Sequence, residues 1–298
     1  MSEYRHPEVL ASAEWLASRL DDPAVRVVDM RHYVRAASGG AFRAVSGREA
    51  YEQGHIPGAV FVDFDDLAEP KDVPGNILSP DHFAALMGGL GIRNDSTVVV
   101  YDDQGGMWAA RLWWALRYYG HDDARVLNGG LTRWIAEGRP LGTHVVTHAP
   151  AMFQTRPQPE LIVTCDEVLQ AIERPDVRIV DALPKPFYTG RMHLYPNRRG
   201  GHIPTARNLS ALDNVDRATQ TLLPPDELER LWQSVDLESH ERVITYCGGG
   251  AYGAFDLFVL YILGHENVAL YDGSWLEWGT DPNLPVETGP DSKGLDSE

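Results

Sequence analysis

Val243-Ile-Thr-Tyr-Cys-Gly-Gly-Gly-Ala-Tyr-Gly253 runs from a β-rich segment through a single thiol into small residues, and the apolar stretch 254–263 follows directly. Val, Ile, Thr and Tyr favour a strand, glycines interrupt it, and an apolar run of that length reads as a buried helix. Cys247 therefore stands at a strand-to-helix turn. The glycines after it let successive backbone N–H groups converge on one point, and the helix behind adds the positive end of its dipole. Such a cradle holds an anion and is expected to lower the thiol pKa, giving a reactive thiolate. The alternative is a buried structural cysteine, the usual place of a free thiol, and the small flexible neighbours argue against it.

The same stretch has a counterpart upstream. Val98-Val-Val-Tyr-Asp102 matches Val243-Ile-Thr-Tyr-Cys247, Val25-Arg-Val-Val-Asp29 matches Val177-Arg-Ile-Val-Asp181, and Gly54-His-Ile-Pro-Gly-Ala59 matches Gly201-His-Ile-Pro-Thr-Ala206. Gly120-His121 and Asn128-Gly129 match Gly264-His265 and Asp272-Gly273, each set closed by a tryptophan, Trp134 or Trp278. The order is kept, and the offset drifts only from 152 residues at Val25 to 144 at Gly120. Two copies of one domain explain this.

Within a copy, strands alternate with helices. The pattern predicts strands at 25–29 and 179–181, 98–101 and 243–246, and 124–127 and 268–271, with helices over 13–20, 108–119 and 254–263. Thr164-Cys-Asp-Glu167 reads as a capping box. Strands separated by helices imply an α/β fold of two tandem domains, each a parallel sheet flanked by helices. The expected domains are 9–140, which should be catalytically inert, and 161–288, which should be catalytic. A Pro-rich linker is expected over 141–160 and a flexible tail over 289–298; residues 280–298, poor in apolar side chains, should pack loosely. In open parallel sheets chemistry gathers at the carboxyl ends of strands, where Cys247 lies.

Composition limits the function. The chain has 298 residues, 43% hydrophobic and 23% charged, as in a globular protein with room for two cores. Two cysteines give no disulfide framework and suit a reducing compartment; with no secretory signal at the start, a cytoplasmic location is expected. The net charge of −17 disfavours nucleic acid and anionic membranes as partners. No Cys/His pair has metal-ligand spacing, so no metal is expected.

The paired Gly-His-Ile-Pro segments, Tyr101-Asp-Asp-Gln-Gly-Gly106, the Cys247 loop and Asp272-Gly-Ser-Trp-Leu-Glu-Trp278 together resemble the two-domain rhodanese-type sulfurtransferases, which include the thiosulfate and 3-mercaptopyruvate enzymes. The resemblance spans residues 9–287. It implies catalysis in the second copy and a structural first copy, where Asp102 holds the place of Cys247 and cannot take up sulfur. It implies that the Cys247 thiolate attacks a small donor, sulfite or pyruvate departs, and a persulfide remains. Backbone N–H groups of Gly248, Gly249, Gly250, Ala251 and Tyr252 are expected to solvate its terminal charge. A thiol, cyanide or an acceptor protein then takes the sulfur, a double displacement with ping-pong kinetics. No organic cofactor is expected, and a monomer is the default. The alternative is a sulfur carrier loaded by a partner protein, with little turnover of small donors.

Donor recognition departs from both family patterns. Thiosulfate-type loops carry basic residues after the cysteine, and none stands here; mercaptopyruvate-type loops read Cys-Gly-Ser-Gly, and the serine position is Gly249. The family's relay histidine matches His55, whose acidic partner falls at Ala44, and the family's donor-binding arginine falls at Phe187. Positive charge is available instead from Lys185, Arg191, Arg198 and Arg199, and the last three are the expected donor contacts. His55 and His202, being repeated, are expected to make structural hydrogen bonds. Cys165 is expected to be structural, and Asp272 to shape the loop after the last strand. Tyr252 should either donate a hydrogen bond in the loop or pack against the neighbouring domain.

Two rival motifs fail. Gly248 to Gly253 satisfies G-x-G-x-x-G with Asp272 downstream, but a cysteine precedes it, little chain remains to complete a nucleotide-binding unit, and the first copy lacks the pattern. A Cys-x5-Arg phosphatase loop needs an arginine where Gly253 stands.

Overall fold

The computed structural model describes residues 3–36, 42–69, 77–195 and 198–290. In the first half lie β1 (Leu10–Ala11), β2 (Val25–Asp29), β3 (His32–Ala36), β4 (Phe42–Ser46), β5 (Val60–Phe61), β6 (Thr97–Tyr101) and β7 (Ala124–Leu127). In the second lie β8 (Ile162–Val163), β9 (Val177–Asp181), β10 (Arg207–Asn208), β11 (Arg242–Tyr246) and β12 (Val268–Tyr271). The first sheet is ordered β1-β7-β6-β2-β5 and the second, read from its matching edge, β8-β12-β11-β9-β10. All pairings in both sheets are parallel. The duplicated sequence therefore builds the same sheet twice, with Tyr101 and Tyr246 ending the central strands.

Those central strands are Val-, Ile- and Tyr-rich because helices cover them on both faces; Val98–Tyr101 and Val243–Tyr246 are buried. The helices that follow them, Ala109–Tyr118 and Ala251–Ile262, pack against each other across the halves. Trp113 and Phe258 meet edge-on at 4.8 Å, and one apolar core runs through both halves. Burial of aromatic surface on this scale fixes the halves against each other.

Several details differ from the sequence reading. The edge strands β1, β5, β8 and β10 have two residues each, too short to leave a periodic signal. The first helix covers only Ala13–Ala17, and the helix after Cys247 starts at Ala251, directly after Gly250 at φ +90°. β3 and β4 form an antiparallel hairpin that appears only in the first half among the described residues.

The segment expected to be loose is pinned through residue 289. Trp278 Nε1 donates to Pro285 O at 2.8 Å, and His202 and Glu287 exchange backbone hydrogen bonds at 2.9 and 3.0 Å. The first half repeats this strap: Trp134 Nε1 donates to Pro140 O at 2.8 Å and His55 pairs with Gly142. Pinning comes from backbone carbonyls, so low apolar content did not reveal it. Residues 291–298 of the expected tail lie outside the described residues.

Candidate active site

Cys247 is only 3% exposed, between β11 and the helix Ala251–Ile262. The Gly250 N–H donates to its Sγ at 3.2 Å, and the N–H groups of Gly249, Tyr252 and Gly253 bear on the same atom. The loop is stitched from below: Cys247 N–H donates to Ser274 Oγ at 3.2 Å, and Trp275 and Leu276 N–H donate to the carbonyls of Cys247 and Gly248 at 2.9 Å. Gly250, at φ +90°, is required by conformation and close approach, whereas at Gly248 the close neighbour is the movable end of a leucine side chain. A Cβ on Gly248 would come 2.3 Å from Leu194 Cδ2, and one on Gly250 would come 2.6 Å from Asp272 Oδ1 and 2.8 Å from Arg111 Nη1.

The first half holds the same cradle around a carboxyl group, whose pKa burial pushes up against the pull of the backbone N–H groups. Asp102 Oδ1 accepts from the N–H groups of Gln104 and Gly106 at 2.8 and 2.9 Å, and Oδ2 from Trp108 and Ala109 at 2.8 and 3.0 Å.

Burial pushes the Cys247 thiol up, against the pull of the N–H groups of Gly253, Gly249, Gly250 and Tyr252. This corrects the expectation of a lowered pKa. The converging donors are present, yet the walls around the sulfur are apolar and desolvation outweighs them. Burial likewise pushes Tyr195 and Tyr252 up to about 12.

A pocket of about 350 Å³ opens over Cys247 between the halves. Cys247, Gly248, Gly249, Ala251 and Tyr252 form its floor, and Leu183, Phe187, Leu194 and Tyr195 one wall. Phe64, Trp108 and the β3–β4 hairpin supply the other. In that hairpin His32 pairs with Ser46, Val34 with Ala44 and Ala36 with Phe42, which sets His32, Val34, Phe42 and Ala44 on the pocket face. Tyr33, Arg35, Arg43 and Val45 alternate to the opposite face.

His32 and Asp65 are polar lining residues that sequence reasoning missed, and His32 is the buried one. Its Nδ1 lies 3.3 Å from Asp63 Oδ1, and its ring sits 4.6 Å from Trp108 and 5.4 Å from Phe64. Burial alone would raise the Asp63 carboxyl; hydrogen bonds from His32, Ser46 and the Asp65 N–H outweigh it and hold the group at about 2. No repeat marks this pair, because among the described residues the hairpin stands only in the first half.

The predicted arginines are not brought to the pocket. Arg198 donates to Leu276 O and lies over the Tyr195 ring at 5.2 Å, while Arg199 donates to Leu284 O at 2.6 Å, Trp278 O at 2.9 Å and Asp281 O. Arg191 is exposed and does not line the pocket. Carbonyls of 276–284 occupy the guanidinium groups that nearness in sequence had suggested for a donor. His55 also lies outside the pocket, its ring nitrogens 2.7 Å from Tyr51 O and 3.2 Å from His144 O, and His202 Nδ1 faces Tyr188 O at 2.8 Å. Asp272 does more than shape its loop: it forms a buried ion pair with Arg111 of the other half. Tyr252 packs toward Trp108 of the first half, 6.2 Å between centroids, and Tyr195 Oη donates to Gly248 O at 3.2 Å.

The model of the rhodanese-like domain matches residues 12–137 and again 164–281. The chain belongs to the rhodanese family. Among rhodanese relatives, it is 35% identical to the sulfur carrier protein TtuD of Thermus thermophilus, over 96% of this chain and 99% of that one. It is 34% identical to the 3-mercaptopyruvate sulfurtransferase of Escherichia coli K12, over 92% of this chain and 96% of the relative. Its fold matches the anaerobic ergothioneine biosynthesis enzyme of Chlorobium limicola, solved with trimethyl histidine, at a TM-score of 0.84 and 27% identity. That match covers 97% of this chain and 72% of the other. No helix among the described residues is long and apolar enough to cross a membrane.

Proposed function

We propose that this sulfurtransferase carries sulfane sulfur as a persulfide on Cys247, taken from a small donor such as 3-mercaptopyruvate or thiosulfate and passed to a thiol or cyanide. The observation that carries this reading is the Cys247 loop, whose N–H groups converge on Sγ as those of the first half converge on the Asp102 carboxylate. A persulfide ends in a charged sulfur, and preorganised backbone donors stabilise it without a side chain.

In this reading the thiol first loses its proton. Burial keeps it protonated, so a base is needed, and His32, oriented by Asp63 and lining the same pocket, is that base. The Cys247 thiolate then bonds to the donor's outer sulfur, the donor's bond to that sulfur breaks, and the electron pair leaves with sulfite or pyruvate. Arg198 and Arg199 support the loop through the 276–284 carbonyls.

A sulfur carrier fed by a partner protein is the second reading. It is favoured by the likeness to TtuD and by the absence of Lys or Arg among the described pocket-lining residues. Steady-state kinetics with thiosulfate and cyanide separate the two. Parallel double-reciprocal lines are expected for the enzyme, whereas loading once without turnover supports the carrier.

A further inference from the structure

The pocket beside Cys247 is built for the opposite charge to that of the family's small donors. Six aromatic side chains line it: Phe42, Phe64, Trp108, Phe187, Tyr195 and Tyr252. They form linked walls, with Phe42 edge-on to Phe187 at 5.5 Å, Phe64 edge-on to Trp108 at 5.3 Å, and Trp108 tilted to Tyr252 at 6.2 Å.

No Lys or Arg is among the described residues that line the pocket; Lys185, between the lining residues Pro184 and Phe187, and Arg191 are exposed. Arg35 and Arg43 pair with each other's positions on the outer face of the hairpin. The Arg198 and Arg199 guanidinium groups bond backbone carbonyls, and Arg111, behind the loop, is paired with Asp272. The carboxylate that lines the pocket, by contrast, is the exposed Asp65, with Asp63 next to it held by His32. Aromatic faces attract cations, an exposed carboxylate in the lining adds to this, and the net charge of −17 brings cations toward the molecule.

We infer that the sulfur acceptor entering this pocket is a small organic cation with an apolar body, recognised by the aromatic walls and Asp65. The inference rests on the persulfide reading only for its chemistry. A small donor need reach no further than the backbone N–H groups, while the larger acceptor fills the aromatic space above them. The acceptor's thiolate bonds to the outer sulfur of the Cys247 persulfide, the S–S bond breaks, and its electron pair returns to Cys247 Sγ, so no oxidant is required. Phe187 acts here as a specificity residue, since a cation in its place would turn the pocket toward anions.

Binding to full-length Cys247→Ser protein tests this without sulfur chemistry, so its failure is distinct from failure of the persulfide reading. The probes are benzyltrimethylammonium and phenylacetate, of similar size and opposite charge, titrated calorimetrically. Benzyltrimethylammonium is expected to bind at least tenfold more tightly. Asp65→Asn, an exposed and structurally mild change, should reduce that ratio at least threefold, and Phe187→Arg should reverse it. Equal or tighter binding of phenylacetate, or a ratio that Asp65→Asn leaves unchanged, overturns the inference.

Discussion

Asp102 and Cys247 stand at equivalent places one residue past the central strands, and backbone N–H groups converge on the side chain of each. The first half keeps a carboxyl group, its pKa pushed up by burial, where the second keeps a thiol; in the proposed reading the loaded sulfur takes the place of that carboxyl. Asp102→Ala should leave four N–H groups, three of them buried, without their acceptor and lower stability by about 3 kcal/mol, measured by urea denaturation. Sulfur loading per folded molecule should be unchanged.

Asp181 should give the protein a pH-dependent stability. Burial raises it to about 7, against hydrogen bonds from Leu183 N–H and Tyr246. Its counterpart Asp29 is paired with Arg31, Nη2 to Oδ2 at 2.7 Å, but Leu183 fills the matching position in the second half. A raised carboxyl pKa means that the native state favours the neutral acid. That contribution is full below about pH 4 and is lost as pH rises to about 7, on the order of 4 kcal/mol. Denaturation at pH 5 and pH 8 should differ more in wild type than in Asp181→Asn. Leu183→Arg, which recreates the Asp29–Arg31 pairing, should shrink the difference as well.

The ion pair between Arg111 and Asp272 joins the halves directly behind Gly250. Removing one partner leaves a buried charge, so Arg111→Met should cost about 3–5 kcal/mol. The double change Arg111→Met with Asp272→Leu should recover part of that loss, and a double-mutant cycle measures the coupling.

His32→Gln should lower kcat/KM for the loading step at pH 7 by about 100-fold. Because burial holds the thiol above its ordinary range, the deficit should shrink as pH rises and the thiolate forms without help. A deficit that stays constant across the pH profile would show that His32 only packs.

Much of this architecture was legible in the chain. The repeated Val-Arg-Val-Val-Asp, Gly-His-Ile-Pro and Tyr-Asp/Tyr-Cys segments correspond to equivalent strands and turns in two sheets of one order. Cys247 and its glycines were legible because a strand, a thiol and a helix lie in one continuous stretch. His32 and Asp63 were not, since they stand 31 residues apart and meet only in the folded first half. Arg111 and Asp272 are likewise 161 residues apart. The thiol pKa depends on burial, a tertiary quantity that a local motif does not carry. The arginines at 198 and 199 were placed by nearness in sequence, and the carbonyls that engage them come from 276–284.

The most direct test of the central claim is intact-mass spectrometry of the protein after exposure to thiosulfate or 3-mercaptopyruvate, beside Cys247→Ser. One added sulfur atom on the wild type, removed by cyanide and absent from the variant, is the expected result. Sulfur retained by Cys247→Ser, or no added sulfur on the wild type with either donor, would contradict a Cys247 persulfide formed from small donors.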